Sequence, residues 1–88
     1  MYVHLGEKVT VPDASVIGIF DLENTTIGQD TRGMLDRLAK ENRVVTVSED
    51  MPKSFVVCID DEGETAYISP ISAATLRNVP RLHLWHEA

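Results

Sequence analysis

Histidine and cysteine side chains are the first candidates for chemistry in this chain of 88 residues. His83 and His86 lie three positions apart, a spacing that would bring both imidazoles to one metal ion on a helix. No carboxylate or cysteine pattern completes a ligand set, so we expect no metal and no other cofactor. Cys58 stands in the middle of an apolar run, without a residue nearby to lower the pKa of its thiol. We therefore interpret Cys58 as a buried structural residue.

An acidic run follows that cysteine, with the sequence Asp-Asp-Glu-Gly-Glu at positions 60–64. The run is too short for an EF-hand loop and lacks the alternating ligand spacing of one. A solvated turn at the tip of a β-hairpin is the better interpretation. The sequence shows no Ser-His-Asp arrangement, glycine-rich phosphate loop or paired-carboxylate signature. We therefore predict that the protein is not an enzyme.

The segment Pro52–Leu76 contains the elements that position these residues. Ser54–Asp60 is rich in β-branched and aromatic residues, and Thr65–Ser69 is a second strand-like run. The four-residue acidic connection between them predicts a β-hairpin, in which Gly63 supplies the positive φ that such a turn needs. Apolar side chains fall on both faces of the first strand, which predicts that this strand is central in its sheet.

The N-terminal segment predicts further short strands. Tyr2–Leu5 and Val9–Val11 flank a turn, and Val16–Leu22 follows a Pro-Asp-Ala-Ser interruption. Residues 9–22 therefore form either one bent strand pair or one long kinked strand. Gly18 inside the last run predicts a bulge or a close approach of the backbone.

One main helix is predicted between these strands and the hairpin. Apolar residues recur at three- and four-residue spacing, which indicates a helix over about 27–42. Thr26 and Gln29 fit a capping box at its start. Gly33 in the helix interior suggests close packing at that point, because glycine costs up to ~1 kcal/mol there relative to alanine.

The remaining elements complete the expected fold. Arg43–Ser48 is a further strand, and Ser72 can cap a short C-terminal helix over about 72–78. The fold class is therefore α+β, with a small, mostly antiparallel sheet of roughly four to six short strands and two helices. We expect a single domain over residues 1–80, followed by a short tail over 81–88.

Composition and charge restrict the class of protein. One cysteine excludes an intrachain disulfide and fits a reducing compartment. We find no signal peptide and no apolar run long enough to span a bilayer, so we expect a cytoplasmic protein without a membrane partner. The net charge of −6, from 8 basic and 14 acidic residues, argues against a generally basic surface for nucleic acids. A local basic patch remains compatible with these numbers.

Small sheets leave unpaired edges that must be protected or used for pairing with another chain. This chain has a short first strand and few prolines inside its later strands. A core of this size also gains from association. We therefore predict a homo-oligomer that assembles partly through such edges.

Four stretches, in this order along the chain, resemble the bacterial extracellular matrix regulator family (RemA and RemB), and within it the RemB branch. They are Met1–Gly6, Val16–Asp21, Pro52–Val57, and Tyr67–Ser72 with Thr75 and Leu76. The resemblance covers nearly the whole chain except Arg81–Ala88. It implies a cytoplasmic protein that promotes the expression of extracellular matrix (biofilm) genes. The RemA branch is known for ring-shaped homo-oligomers that present arginines to DNA.

The arginines of the RemA branch have no counterpart in this chain. The surrounding matches place them at about Ser15, Met51 and Pro52, and none of these side chains can make a bidentate contact with phosphate or guanine. Lys8 in the first turn and Lys53 before the hairpin are the remaining candidates for contact with nucleic acid. The alternative is that each is an ordinary surface lysine.

Two functions are therefore open. The first is a RemB-like regulator that promotes matrix gene expression through DNA, either directly or in an assembly of several copies. The second is an acidic, oligomeric interaction module that modulates another regulatory protein without contacting DNA. The acidic balance and the missing arginines favour the second function.

Overall fold

The computed structural model describes residues 2–23 and 28–78. Within these ranges the chain forms six strands and two α-helices, which confirms the α+β class. The strands are β1 (Tyr2–Gly6), β2 (Val9–Pro12), β3 (Val16–Asp21), β4 (Val44–Thr46), β5 (Ser54–Asp60) and β6 (Gly63–Ser69). The helices are α1 (Gln29–Lys40) and α2 (Ala73–Arg77), and a short 3-10 helix spans Asp13–Ser15.

The strands form two sheets. β1 and β2 pair as an antiparallel hairpin, while the other four strands lie in the order β3-β5-β6-β4. β4 runs parallel to β6, and the remaining pairs are antiparallel. β5 therefore lies inside its sheet, as its two apolar faces predict.

Residues 9–22 fit neither predicted alternative, because they cross from one sheet to the other. Pro12 ends β2, and the 3-10 helix carries the chain to β3. The register of β3 against β5 shifts between Val16 and Gly18, which confirms the predicted bulge. A Cβ on Gly18 would lie 2.8 Å from Cε1 of Phe20, whose ring stacks on Phe55 with centroids 4.7 Å apart. The ring of Phe20 therefore occupies the space that a side chain at position 18 would need.

The hairpin of β5 and β6 has a tighter turn than predicted. Asp60 pairs directly with Gly63, which leaves only Asp61 and Glu62 in the loop. β6 begins at Gly63 rather than at Thr65 because the φ of +121° at Gly63 lets the chain reverse within two residues.

Side chains of β5 alternate between two apolar clusters on opposite faces of the sheet. Phe55 and Val57 pack with Leu38 of α1 and with Ala66. Val56 and Cys58 belong to the second cluster, which includes residues of the β1–β2 hairpin and of α2: Val3, Leu5, Val11, Ala73 and Leu76. The fold is thus three layers, with α1 on one side of the four-stranded sheet and the hairpin and α2 on the other.

Two buried serines connect the hairpin and α2 to the four-stranded sheet. Ser69 donates from Oγ to the carbonyl of Leu5 at 2.6 Å, and Ser54 donates from Oγ to the carbonyl of Ile71 at 2.7 Å. Both serines are fully buried. Their hydroxyls satisfy carbonyls at points where strand pairing does not.

The observed helix ends agree with the sequence-based predictions for α2 but not for α1. α2 begins after Ser72, whose hydroxyl accepts from the Thr75 N–H, which confirms the predicted cap. α1 begins after Gly28, which provides no side-chain cap, two residues later than predicted. The predicted capping box involves Thr26, which lies outside the described residues. α1 ends where Asn42 takes a φ of +60°, in the left-handed conformation common after helices.

Within the described residues, no helix has the length and apolar character needed to cross a membrane.

Glycines at two positions provide a matched test of this fold. A Cβ on Gly33 would meet nothing within 4 Å, so the predicted close packing there is wrong. We expect Gly33→Ala to raise the free energy of unfolding by about 0.5–1 kcal/mol, because alanine favours the helix. Urea denaturation followed by circular dichroism measures the change.

Gly6→Ala is the control for that measurement. Gly6 has a φ of +123°, and a Cβ there would lie 3.2 Å from Pro70 and 3.3 Å from Val47. We expect this substitution to lower the free energy of unfolding by at least ~1 kcal/mol. A neutral Gly6→Ala would contradict the docking of β1 against Pro70.

Candidate functional site

The two candidate lysines lie in different loops. Lys8 is in the turn between β1 and β2, and Lys53 immediately precedes β5; both are exposed. The backbone of Lys53 bridges two strands: its N–H donates to Ser69 and its carbonyl accepts from Leu22, each at 2.9 Å. Lys53 is thereby fixed at one end of the four-stranded sheet.

Lys8 lines an open groove between the β1–β2 turn and the segment after β4. The groove has a volume of about 760 Å³, and its lining residues are Glu7, Lys8, Val9, Thr46, Val47, Ser48, Glu49 and Asp50. Three carboxylates therefore share the groove with one ammonium group. Negative charge dominates here, so a phosphate would be repelled around Lys8.

The positions that match the RemA arginines are divided between the two ends of β5. Met51 and Pro52 precede the strand and are exposed. Ser15 lies in the 3-10 helix, next to Val16, which pairs with Cys58 near the far end of β5. Cys58 lies six positions beyond Pro52, a distance of roughly 20 Å in extended chain. Within one chain, these positions therefore form two sites rather than one patch.

The acidic turn is exposed at residues 60–62, as predicted, but Arg43 also contacts it through one hydrogen bond and two longer ion pairs. Its Nε donates to the carbonyl of Glu64 at 2.9 Å, and its terminal nitrogens lie 3.5 Å from carboxylate oxygens of Asp60 and Glu62. Arg37 adds a 2.8 Å bond to the Glu64 carboxylate, and this bond raises the pKa of Arg37. We name this group, Arg37 and Arg43 with the acidic turn 60–64, the arginine clamp.

Arg77 also has an intramolecular partner. Its Nη2 donates to the carbonyl of Ile19 on β3 at 2.6 Å. Arg37, Arg43 and Arg77 thus all make contacts within the molecule, although none of these contacts was predicted from the sequence. The hydrogen bonds from these arginines to Glu64 and Ile19 span 21 to 58 positions of the chain, so no local motif indicates them.

Other candidate chemistry is limited in the described part of the chain. Across residues 2–23 and 28–78, no three His, Cys, Asp or Glu side chains are grouped so that they could hold a metal ion. His83 and His86 lie outside those residues. Cys58 is buried as predicted, and its burial raises the pKa of the thiol, while a hydrogen bond with Ser15 opposes that effect.

Comparison with known proteins gives one informative match. No protein-family model matches the sequence. The chain is 31% identical over 77 residues to the extracellular matrix regulatory protein B of Bacillus subtilis (strain 168). The matched region covers 88% of this chain and 86% of that protein, so the similarity extends through most of both chains.

The clamp predicts unequal effects for two arginine substitutions. Arg43→Met removes the hydrogen bond to Glu64 from a side chain that is only 22% exposed, and we expect it to destabilise the protein by about 1–2 kcal/mol. Arg37→Met is the matched control: its side chain is half exposed, so its ion pairs are screened and little stability should be lost. Equal effects in urea denaturation would contradict the central role of Arg43.

The raised pKa of Cys58 predicts how stability depends on pH. As pH rises, the unfolded chain releases the thiol proton first, at about pH 8.5, because the pKa of the thiol is higher in the folded chain. The contribution of this thiol to the free energy of unfolding is therefore fully present below that pH and is lost as pH rises above it. Cys58→Ala should flatten this fall at pH values above about 8.5. Urea denaturation of both proteins across this range tests the effect, and identical pH profiles would contradict it.

Proposed function

Since the chain belongs to the bacterial extracellular matrix regulator family, on its RemB branch, we propose that it promotes the expression of extracellular matrix (biofilm) genes. The observation that carries this proposal is 31% identity over 88% of the chain to a protein named for matrix regulation. On this proposal the protein is a regulator and not an enzyme.

The distribution of charge supports action through protein contacts rather than through DNA. Arg37, Arg43 and Arg77 are engaged inside the molecule, and Lys8 shares its groove with three carboxylates. A protein that binds DNA gains most of its affinity by placing free cations against phosphates. The proposed mechanism is therefore modulation of another regulatory protein.

Self-association is part of the same proposal. The β1–β2 sheet has two strands, so its outer edges are unpaired within the described residues, and Tyr2 on β1 is 66% exposed. Such an edge offers main-chain groups and apolar surface to a second copy. The proposed active form is a homo-oligomer.

Removal of the gene tests the function, and a DNA titration tests the mechanism. We expect deletion to lower the output of a matrix-gene reporter and the wild-type gene to restore it. Lys8→Glu with Lys53→Glu should restore it equally, because neither lysine contacts DNA on this mechanism. In fluorescence anisotropy at about 50 mM salt, labelled AT-rich DNA from upstream of those genes should show no saturable binding.

The two measurements fail separately. A reporter that is unaffected by deletion would overturn the regulatory function. Saturable DNA binding that weakens steeply with salt, and that the double lysine variant loses, would leave the function in place but overturn the mechanism.

A further inference from the structure

β4 has a free edge in the described structure. It is the last strand of its sheet, with β6 as its only neighbour. Two bonds fix their pairing: the Ala66 N–H donates to the Arg43 carbonyl at 2.9 Å, and the Val47 N–H donates to the Ile68 carbonyl at 3.0 Å. Alternate residues of a strand bond to the same side, so residues 43, 45 and 47 face β6. The N–H and C=O groups of residues 44 and 46 consequently point outwards.

The opposite edge of the same sheet is closed. The Leu22 N–H bonds to Lys53 in the direction of β5, and Ile19 lies three residues earlier, so its carbonyl points away from β5. The guanidinium group of Arg77 in α2 donates a 2.6 Å hydrogen bond to that carbonyl. A strand that approached β3 would have to displace this charged hydrogen bond. β4 is therefore the edge of this sheet that remains available.

The acidic groove extends the free edge of β4. Thr46 contributes to both, and Glu49, Asp50 and Glu7 place three carboxylates beside the path that an added strand would follow. Val45, 39% exposed, provides apolar surface on the same strand. Main-chain partners, an apolar contact and negative charge together define the chemistry of an occupant.

We propose that the edge of β4 and the adjoining groove bind an extended, basic segment of a partner protein, which adds to the sheet as a further strand. Main-chain hydrogen bonds to residues 44 and 46 would hold the segment, and its Lys or Arg side chains would contact the carboxylates. This inference names the partner chemistry of the proposed regulator and so rests on that function. A second copy fits the site less well, because it brings a net charge of −6 and an acidic groove of its own.

A synthetic peptide with alternating lysine and valine, labelled with fluorescein, is the probe for this surface. With the full chain at about 50 mM salt, we expect saturable binding in fluorescence anisotropy. An analogue with glutamate in place of lysine should bind at least about tenfold more weakly. An analogue with the lysines kept but alternate amides N-methylated should lose a similar factor, since about two hydrogen bonds are removed.

Protein variants locate the site without disturbing the strands. Glu49→Gln with Asp50→Asn should weaken peptide binding severalfold. Asp61→Asn with Glu62→Gln makes the same charge change at the tip of the β5–β6 hairpin, at the other end of the sheet, and should leave binding unchanged. Thermal unfolding of each variant checks that the fold is retained.

Three outcomes would overturn the proposal. Equal binding of the N-methylated peptide would exclude strand addition. If both double variants weakened peptide binding equally, the binding would be explained by general attraction between the basic peptide and the acidic protein. Light scattering that shows a dimer dissociated by the peptide would assign the edge to a second copy. The peptide assay does not measure gene expression. Each of these outcomes would therefore contradict the proposed binding surface without contradicting the regulatory function, which the reporter experiment tests.

Discussion

β5 has apolar side chains on both of its faces, and each face needs its own cover to be removed from water. α1 covers Phe55 and Val57 on one side. The β1–β2 hairpin and α2 cover Val56 and Cys58 on the other. The two covers lie far apart in the sequence, but they depend on the same strand. The bulge at Gly18, the buried hydroxyls of Ser54 and Ser69 and the close approach of Gly6 to Pro70 all serve to bring these layers together.

The positive charges of the chain follow from this arrangement. A small acidic protein that must fix a tight acidic turn next to α1 uses Arg37 and Arg43 to do so. It uses a third arginine, Arg77, to occupy the outer carbonyl of β3. An arginine side chain that is engaged within the molecule is not free to bind an anion such as a DNA phosphate. These contacts support the proposal that the protein acts through contacts with another protein rather than with phosphates.

Patterns that act within a few residues could be predicted from the sequence. Apolar residues on both faces of Ser54–Asp60 identified a central strand, Gly63 identified a turn, and Ser72 identified a helix start, because each signal depends on neighbours along the chain. The arginine clamp and the parallel pairing of β4 could not be predicted. Both depend on residues that the fold brings together. Arg43 contacts a turn some 20 positions later in the chain, and β4 pairs directly with β6 although β5 lies between them in the sequence.

Gly33 shows the same limit from the opposite direction. A glycine inside a helix gives the same sequence pattern whether it packs against another element or faces solvent. Only the placement of α1 on the sheet distinguishes the two cases, and Gly33 faces open space.

The bond from Ser69 to Leu5 spans 64 positions of the chain. Ribosomes synthesise the β1–β2 hairpin before Ser69, whose hydroxyl satisfies the buried Leu5 carbonyl, and before the α2 residues that share its apolar cluster. The apolar face of the hairpin therefore stays uncovered until those residues have been made. During that interval the hairpin is the part of this fold that most needs protection from aggregation.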